Sequence, residues 1–154
     1  MKPLSKSNTT ESKFKSILKS FRERTGIIYT SIINEDGFII VVDQASLNYD
    51  DDFDQSLGAI SASILAFAQN GIAMLNELHD VKSLIIQAGY EIENESFKII
   101  IESIGQEVSL MSIFPTSLNA SLILFELKQV TQKLLEIFNS EEQAENNAKI
   151  STTI

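Results

Sequence analysis

Cysteine is absent from this 154-residue chain, which excludes disulfides and thiolate metal sites. The absence fits a reducing compartment, and a cytoplasmic location is expected. Histidine occurs once, as His79 beside Asp80. One histidine without cysteine cannot build a zinc site of the ordinary kind. As a general base it would need an ordered partner and a nucleophile within reach. At a helix C-terminus its positive form simply favours the helix dipole. Cations are also scarce, with 12 Lys plus Arg against 21 Asp plus Glu and a net charge of −9. A nucleic-acid partner would need clustered Lys and Arg, so none is expected. The glycines at 26, 37, 58, 71, 89 and 105 form neither GxGxxG nor a P-loop, so the chain itself is not expected to bind nucleotide. No apolar run follows the polar start MKPLSKSNTT, so no secretory signal is read there.

Two carboxylate groupings remain. Asp50, Asp51, Asp52 and Asp54 lack the spaced oxygens, central Gly and final Glu of a calcium loop. They suit the positive N-terminus of a following helix, or an acidic patch for a partner. Glu102 and Glu107 flank a turn and read as solvated strand ends. No catalytic residue, metal site or cofactor is therefore expected.

The length suggests one domain, which should bury roughly 68–70% of the surface its unfolded chain exposes. Residues 1–9 read as a flexible tail. Phe14, Ile17, Leu18 and Phe21 then recur at i, i+3, i+4 and i+7, one stripe of a helix. Lys13, Lys15, Lys19, Arg22 and Arg24 make its other side basic, either a solvated face or a contact for an acidic surface. Residues 27–34 and 38–42 read as a hairpin around Glu35-Asp36-Gly37. Their nearly continuous apolar character suggests a sheet covered on both faces. After a loop at 44–54 comes a long helix, 53–78. Strands follow at 81–88, 96–104 and 107–114, and Pro115 closes the last. A final helix starts near Ser117, with Ile123, Leu127, Val130, Leu134, Ile137 and Phe138 as its stripe. The polar end, 140–154, reads as a disordered tail. The domain proper is then 10–139, an α+β layered unit of order α-β-β-α-β-β-β-α.

The long helix is unusual because residues 56–76 carry no charge. A membrane span has that composition, but so does a core helix, which is the better reading; no direct membrane insertion is expected. Phe53, Leu57, Ile60, Ile64, Phe67, Gly71, Leu75 and Leu78 form one continuous face, expected to lie on the sheet. Ala59, Ala62, Ala66 and Ala73 fall on the opposite side. A water-facing side would normally be charged. Its lack of charge fits a second buried contact, or an exposed Ala face. In a single-domain chain that contact is most simply a symmetry mate.

Three stretches resemble the roadblock / dynein-light-chain family: GIIYTSIINEDGFIIVVD, LGAISASILAFAQNGIAML and SLNASLILFELKQVTQKLLEI. They are similar to its opening hairpin, its Ala- and Ser-rich central helix and its closing helix. The resemblance spans about residues 12–138. The loop at 44–54 departs from the family pattern in its length and acidity. The resemblance implies a profilin-like five-stranded, mostly antiparallel sheet between helices, with strand order 2-1-5-4-3. It implies a homodimer, or a pair with a paralogous roadblock protein, through the central helix and the neighbouring edge strand. The expected interface is then Ala59, Ala62, Ala66 and Ala73 with Val81, Ser83, Leu84, Ile85 and Ile86. It also implies a non-catalytic adaptor that regulates or scaffolds a small Ras-like GTPase, as an activating protein for example. Structural light chains of motor or membrane-tethered complexes, which bind a peptide or helix, are the family's other expectation. The fold's likeness to PAS and GAF domains leaves a small-ligand sensor as a third.

Overall fold

The computed structural model describes residues 6–45, 51–75, 81–89, 96–105 and 107–152. The elements are α1 (Lys6–Thr25), β1 (Tyr29–Asn34), β2 (Ile39–Gln44), α2 (Asp51–Leu75), β3 (Ser83–Gly89), β4 (Ser96–Ile104), β5 (Val108–Pro115) and α3 (Ala120–Ser151). The order is the expected one. All five strands form one antiparallel sheet, β2-β1-β5-β4-β3. The fold is α+β and profilin-like.

The hairpin at 34–38 shows how local chemistry sets the register. Asn34 Oδ1 accepts from the backbone N–H groups of Asp36 and Phe38, and Gly37 adopts φ +85°. The asparagine thus closes a turn that only a residue free to take positive φ completes easily. β1 is buried along five consecutive residues, as expected for a central strand covered on both faces. β2 departs from that expectation. It is an edge strand, only Val41 is buried, and Phe38 and Ile40 are exposed.

Two cores lie on opposite faces of the sheet. On one, α1 and α3 bury Phe14, Leu18, Phe21, Ile123, Leu127, Val130 and Leu134 against Ile32, Ile100, Ile104 and Leu110. These are the stripes read from the sequence. Arg22 of α1 donates to Asp43 of β2 at 2.6 Å, and Arg24 meets Glu126 of α3 at 3.1 Å. Two of the basic residues of α1 therefore tie it to its neighbours. The hydrogen bond to Asp43 also raises the Arg22 pKa further. The other core is smaller: Tyr29, Ile101 and Met111, with Leu57 and Leu65 of α2 packed on them.

Both expected tails shift. α1 begins at Lys6, inside the stretch read as a flexible tail, and Thr10, within the helix, pairs with Glu141. α3 continues to Ser151, through the stretch read as disordered. Residues 140–151 are polar and exposed, but they contain no Gly or Pro, and Glu, Gln, Ala and Lys are good helix formers. Asn119, not Ser117, caps its start by accepting from the N–H groups of Ser121 and Leu122.

The seat of α2 on the sheet is a backbone contact. A Cβ on Gly58 would collide with the Gly37 carbonyl oxygen, and one on Gly37 would lie 2.8 Å from Ala59 Cα. Gly58→Ala is expected to lift α2 and cost about 1–3 kcal/mol in urea unfolding. Gly71, in the same helix, has no neighbour within 4 Å of a built Cβ. Gly71→Ala should act in the opposite sense, stabilising by up to about 1 kcal/mol.

Candidate protein-interaction surface

The Gly37–Gly58 contact decides which side of α2 faces in. Gly58 and Ser61 are buried, and the Ser61 hydroxyl donates to the Met111 sulfur at 2.7 Å. Tyr29, buried on β1, donates its hydroxyl to Asp54 at 3.1 Å near the helix start. Gln69 Oε1 accepts from the Val81 N–H at 2.8 Å, tying the second half of α2 to the chain entering β3. The inner side is therefore Leu57, Gly58, Ser61, Leu65 and Gln69.

This reverses part of the sequence expectation. Ile60, Phe67 and Gly71, expected on the sheet, are exposed, with Ile60 at 56% and Phe67 at 82%. Met74 joins them at 89%. Ile60, Phe67 and Met74 are seven residues apart in turn, and seven residues turn a helix by about 700°, almost two full circles. They form one outward stripe. Ala59, Ala66 and Ala73 precede them one by one and are exposed beside them. Ala62 is the exception. It is half-buried and lines a cleft of about 710 Å³ between α2 and the sheet, with Ile33, Leu65, Gln69 and Val108. The physical reason is the contact at Gly58: the helix backbone must reach Gly37 there, and that fixes which residues turn inward.

β3 lies at the end of the sheet, and no strand pairs with its outer side among the described residues. Ser83–Gly89 carries no charge and no proline, the devices that usually blunt an exposed edge. Val81, Leu84 and Ile86 are half-buried, while Ser83 is exposed and Ile85 is 54% exposed. Leu84 packs toward the α2 core. The expected interface residues, Ala62 apart, thus occupy an outward helix face and an open strand edge. Sequence reasoning misses Ile60, Phe67 and Met74 as outward positions. Their seven-residue spacing is visible in the chain, but it merges with the inner stripe.

Among the described residues, no group of three or more His, Asp or Glu could hold a metal. His79, Asp80 and Asp50 lie outside the described residues. Glu102 and Glu107, read as solvated strand ends, differ. Glu107 is exposed, but Glu102 is half-buried, and burial raises its pKa against the pull of Ser83 and Lys128.

No protein-family model matches the chain, and no curated protein matches its sequence. Solved structures do. The gliding protein MglB from Thermus thermophilus superposes with a TM-score of 0.70 at 16% identity, over 83% of this chain and 90% of that one. Myxococcus xanthus MglB gives 0.71 at 19% identity, over 84% and 90%. A Roadblock/LC7 domain from Streptomyces avermitilis gives 0.66 at 12% identity, over 78% and 92%. At these identities the likeness establishes the fold: the chain has the roadblock fold.

The Tyr29–Asp54 bond yields a test of how α2 is held. Burial, chiefly, pushes the Tyr29 phenol well above its ordinary value; the nearby Ser31 hydroxyl pulls the other way, and the Asp54 charge adds to the rise. An unfolded tyrosine ionises near pH 10, whereas the folded one keeps its proton. This group's contribution is therefore fully present below about pH 10 and is lost as pH rises beyond it. Tyr29→Phe should cost about 1–2 kcal/mol at neutral pH. Urea unfolding from neutral to alkaline pH should also show a shallower loss of stability for the variant than for the wild type.

Proposed function

We propose that this protein is a non-catalytic, cytoplasmic, homodimeric adaptor that binds a small Ras-like GTPase and regulates or scaffolds it. The observation that carries the reading is the outward face of α2. It is uncharged and bears three large exposed apolar side chains, beside an unblunted strand edge, in a chain with the roadblock fold. Contiguous apolar surface of that kind marks an interaction site. A second copy supplies the complement in the simplest way, because a twofold contact uses the same patch on both chains.

In this reading α2 packs on its copy, with Ile60, Phe67 and Met74 set against the Ala59, Ala66 and Ala73 column. β3 pairs with its copy and joins the two sheets. Ala62 takes no part, because it faces the cleft. The neighbours include MglB with a tetrameric arrangement, which supports self-association of this fold. The GTPase partner comes from the roadblock resemblance. The dimer would act without supplying a catalytic side chain, by holding the GTPase's own switch elements.

Light scattering at micromolar concentration should give twice the chain mass. Phe67→Asp places an unpaired charge in the contact and should give the monomer mass with the helix content unchanged. A monomeric wild type would exclude the dimer. Pulldown of the cell's small Ras-like GTPases, each in both nucleotide states, should retain one of them. Retention of none would count against the GTPase reading and leave the dimer standing.

A further inference from the structure

A dimer that packs on the outer side of α2 gives no role to the cleft of about 710 Å³ on its inner side. The floor of the cleft is one row across three strands. Ile33 of β1 pairs with Ser109 of β5, and Ser109 pairs with Ser103 of β4. All three face α2, because Tyr29, Met111 and Ile101, an even number of residues away on the same strands, pack in the α2-side core. Ala62, Leu65 and Gln69 of α2 cover the row. The two hydroxyls differ. Ser103 donates to the Val81 carbonyl at 2.9 Å. Ser109 lines the cleft, is 7% exposed, and its hydroxyl has no hydrogen-bond partner among the described residues. A hydroxyl buried without a partner costs about 1–3 kcal/mol, which a ligand atom in the cleft would relieve.

Four of the described lining residues carry charge: Glu35, Lys82, Glu102 and Glu107. Glu102 turns away from the cleft. It pairs with Leu110 of the α1–α3 core, accepts from Ser83 and lies near Lys128 of α3. Glu35 and Glu107 sit side by side at the mouth, one just after and one just before the last β1–β5 rung, Asn34–Val108. Each is two residues from the Ile33–Ser109 rung, about 6–7 Å along its strand. Lys82 enters from the β3 side, where its carbonyl accepts from the Ser103 N–H at 2.8 Å. All three of these charged residues are exposed. Asp36 does not line the cleft, and Glu77 and Asp80 lie outside the described residues. The cleft therefore has a cation and a free hydroxyl along its floor, two carboxylates at its mouth, and apolar walls of Ile33, Leu65 and Val81. A volume of this size with few polar groups is that of a small-molecule site.

We propose that the cleft between α2 and the sheet binds a linear ω-amino acid, with its carboxylate at Ser109 and Lys82, its ammonium at Glu35 and Glu107, and its methylene chain along the apolar walls. A ligand with one charge leaves one end of the cleft unmatched. The two charged groups of 6-aminohexanoate, five methylenes apart, are separated by about 7 Å when extended, which matches the strand distance from Ser109 to the mouth.

Isothermal titration calorimetry of the full-length protein with 6-aminohexanoate, hexylamine and hexanoate reads each charge separately. 6-Aminohexanoate should bind with millimolar or tighter affinity, at least about tenfold better than either singly charged analogue. Ser109→Ala should weaken it about tenfold, yet leave the urea midpoint of the unliganded protein unchanged or raised, because an unpartnered hydroxyl adds nothing to the fold. Lys82→Met should bring 6-aminohexanoate down to the level of hexylamine. Glu35→Gln with Glu107→Gln should bring it down to the level of hexanoate. Absence of 6-aminohexanoate binding overturns the site, as does a singly charged analogue that binds as tightly. Unchanged binding by Ser109→Ala, or a loss of stability alongside the loss of affinity, also overturns it. None of these readouts depends on the dimer or on a GTPase, so the adaptor reading stands or falls separately.

Discussion

The contact between Gly37 and Gly58 is the constraint from which the rest of the α2 layer follows. Two backbones meet there with no room for a Cβ on either side. Once that point is fixed, rotation of the helix about its own axis is no longer free. Ser61 and Leu65 must turn inward, and Ile60, Phe67 and Met74 must turn out. The usual rule places large apolar side chains on the core side of a helix. Here the tight approach overrides it: the sheet receives Leu57 and Leu65 beside Gly58 and Ser61, and Ile60, Phe67 and Met74 are left for another surface. The hydrogen bonds from Tyr29 to Asp54 and from Ser61 to Met111 hold the same orientation from the polar side.

The two faces of the sheet are consequently unequal. The α1–α3 face is self-sufficient, with a large apolar core and ion pairs that lock α1 to both β2 and α3. The edges differ in the same way. β2 has a bulge, carries Asp43 and lies under α1, all of which discourage pairing with another chain. β3 has none of these protections. One edge is closed by the chain itself and the other is left open, beside the helix whose outer face is also unfinished.

Much of this is legible in the sequence. The stripes of α1 and α3 follow the 3.6-residue period, and their predicted residues are buried in the core or, as Ile17, Ile137 and Phe138, packed partly buried against it. The stretch from Asn34 to Gly37 marks the hairpin, and the alternation of periods gives the element order. Three features are not legible. Polarity in 140–151 suggests disorder, although helix formation needs only propensity and the absence of breakers. β2 looks doubly buried because composition does not reveal which strand lies at the edge. In α2 nearly every residue is apolar or small, so periodicity defines no single face. The long-range contact with Gly37 chooses one, and no local pattern encodes that choice.

The same ambiguity explains why α2 resembles a membrane span. Asp54–Met74 is long and apolar enough to cross a bilayer by length and composition alone, yet only 11% of it is buried in the single chain. A helix needs that composition whenever both of its sides must leave water, whether the second side meets lipid or protein. What separates the two cases is the detail of the surface. Lipid places no demand on the order of side-chain sizes, whereas a protein contact packs side chains of complementary shape. Alternation of Ile60, Phe67 and Met74 with the Ala59, Ala66 and Ala73 column supplies that complement within one patch. The polar positions Ser63 and Asn70 lie on the same outward side and would be poorly placed in hydrocarbon. The outer face of α2 therefore carries an alternation of large and small side chains, with polar positions among them, that a bilayer does not call for.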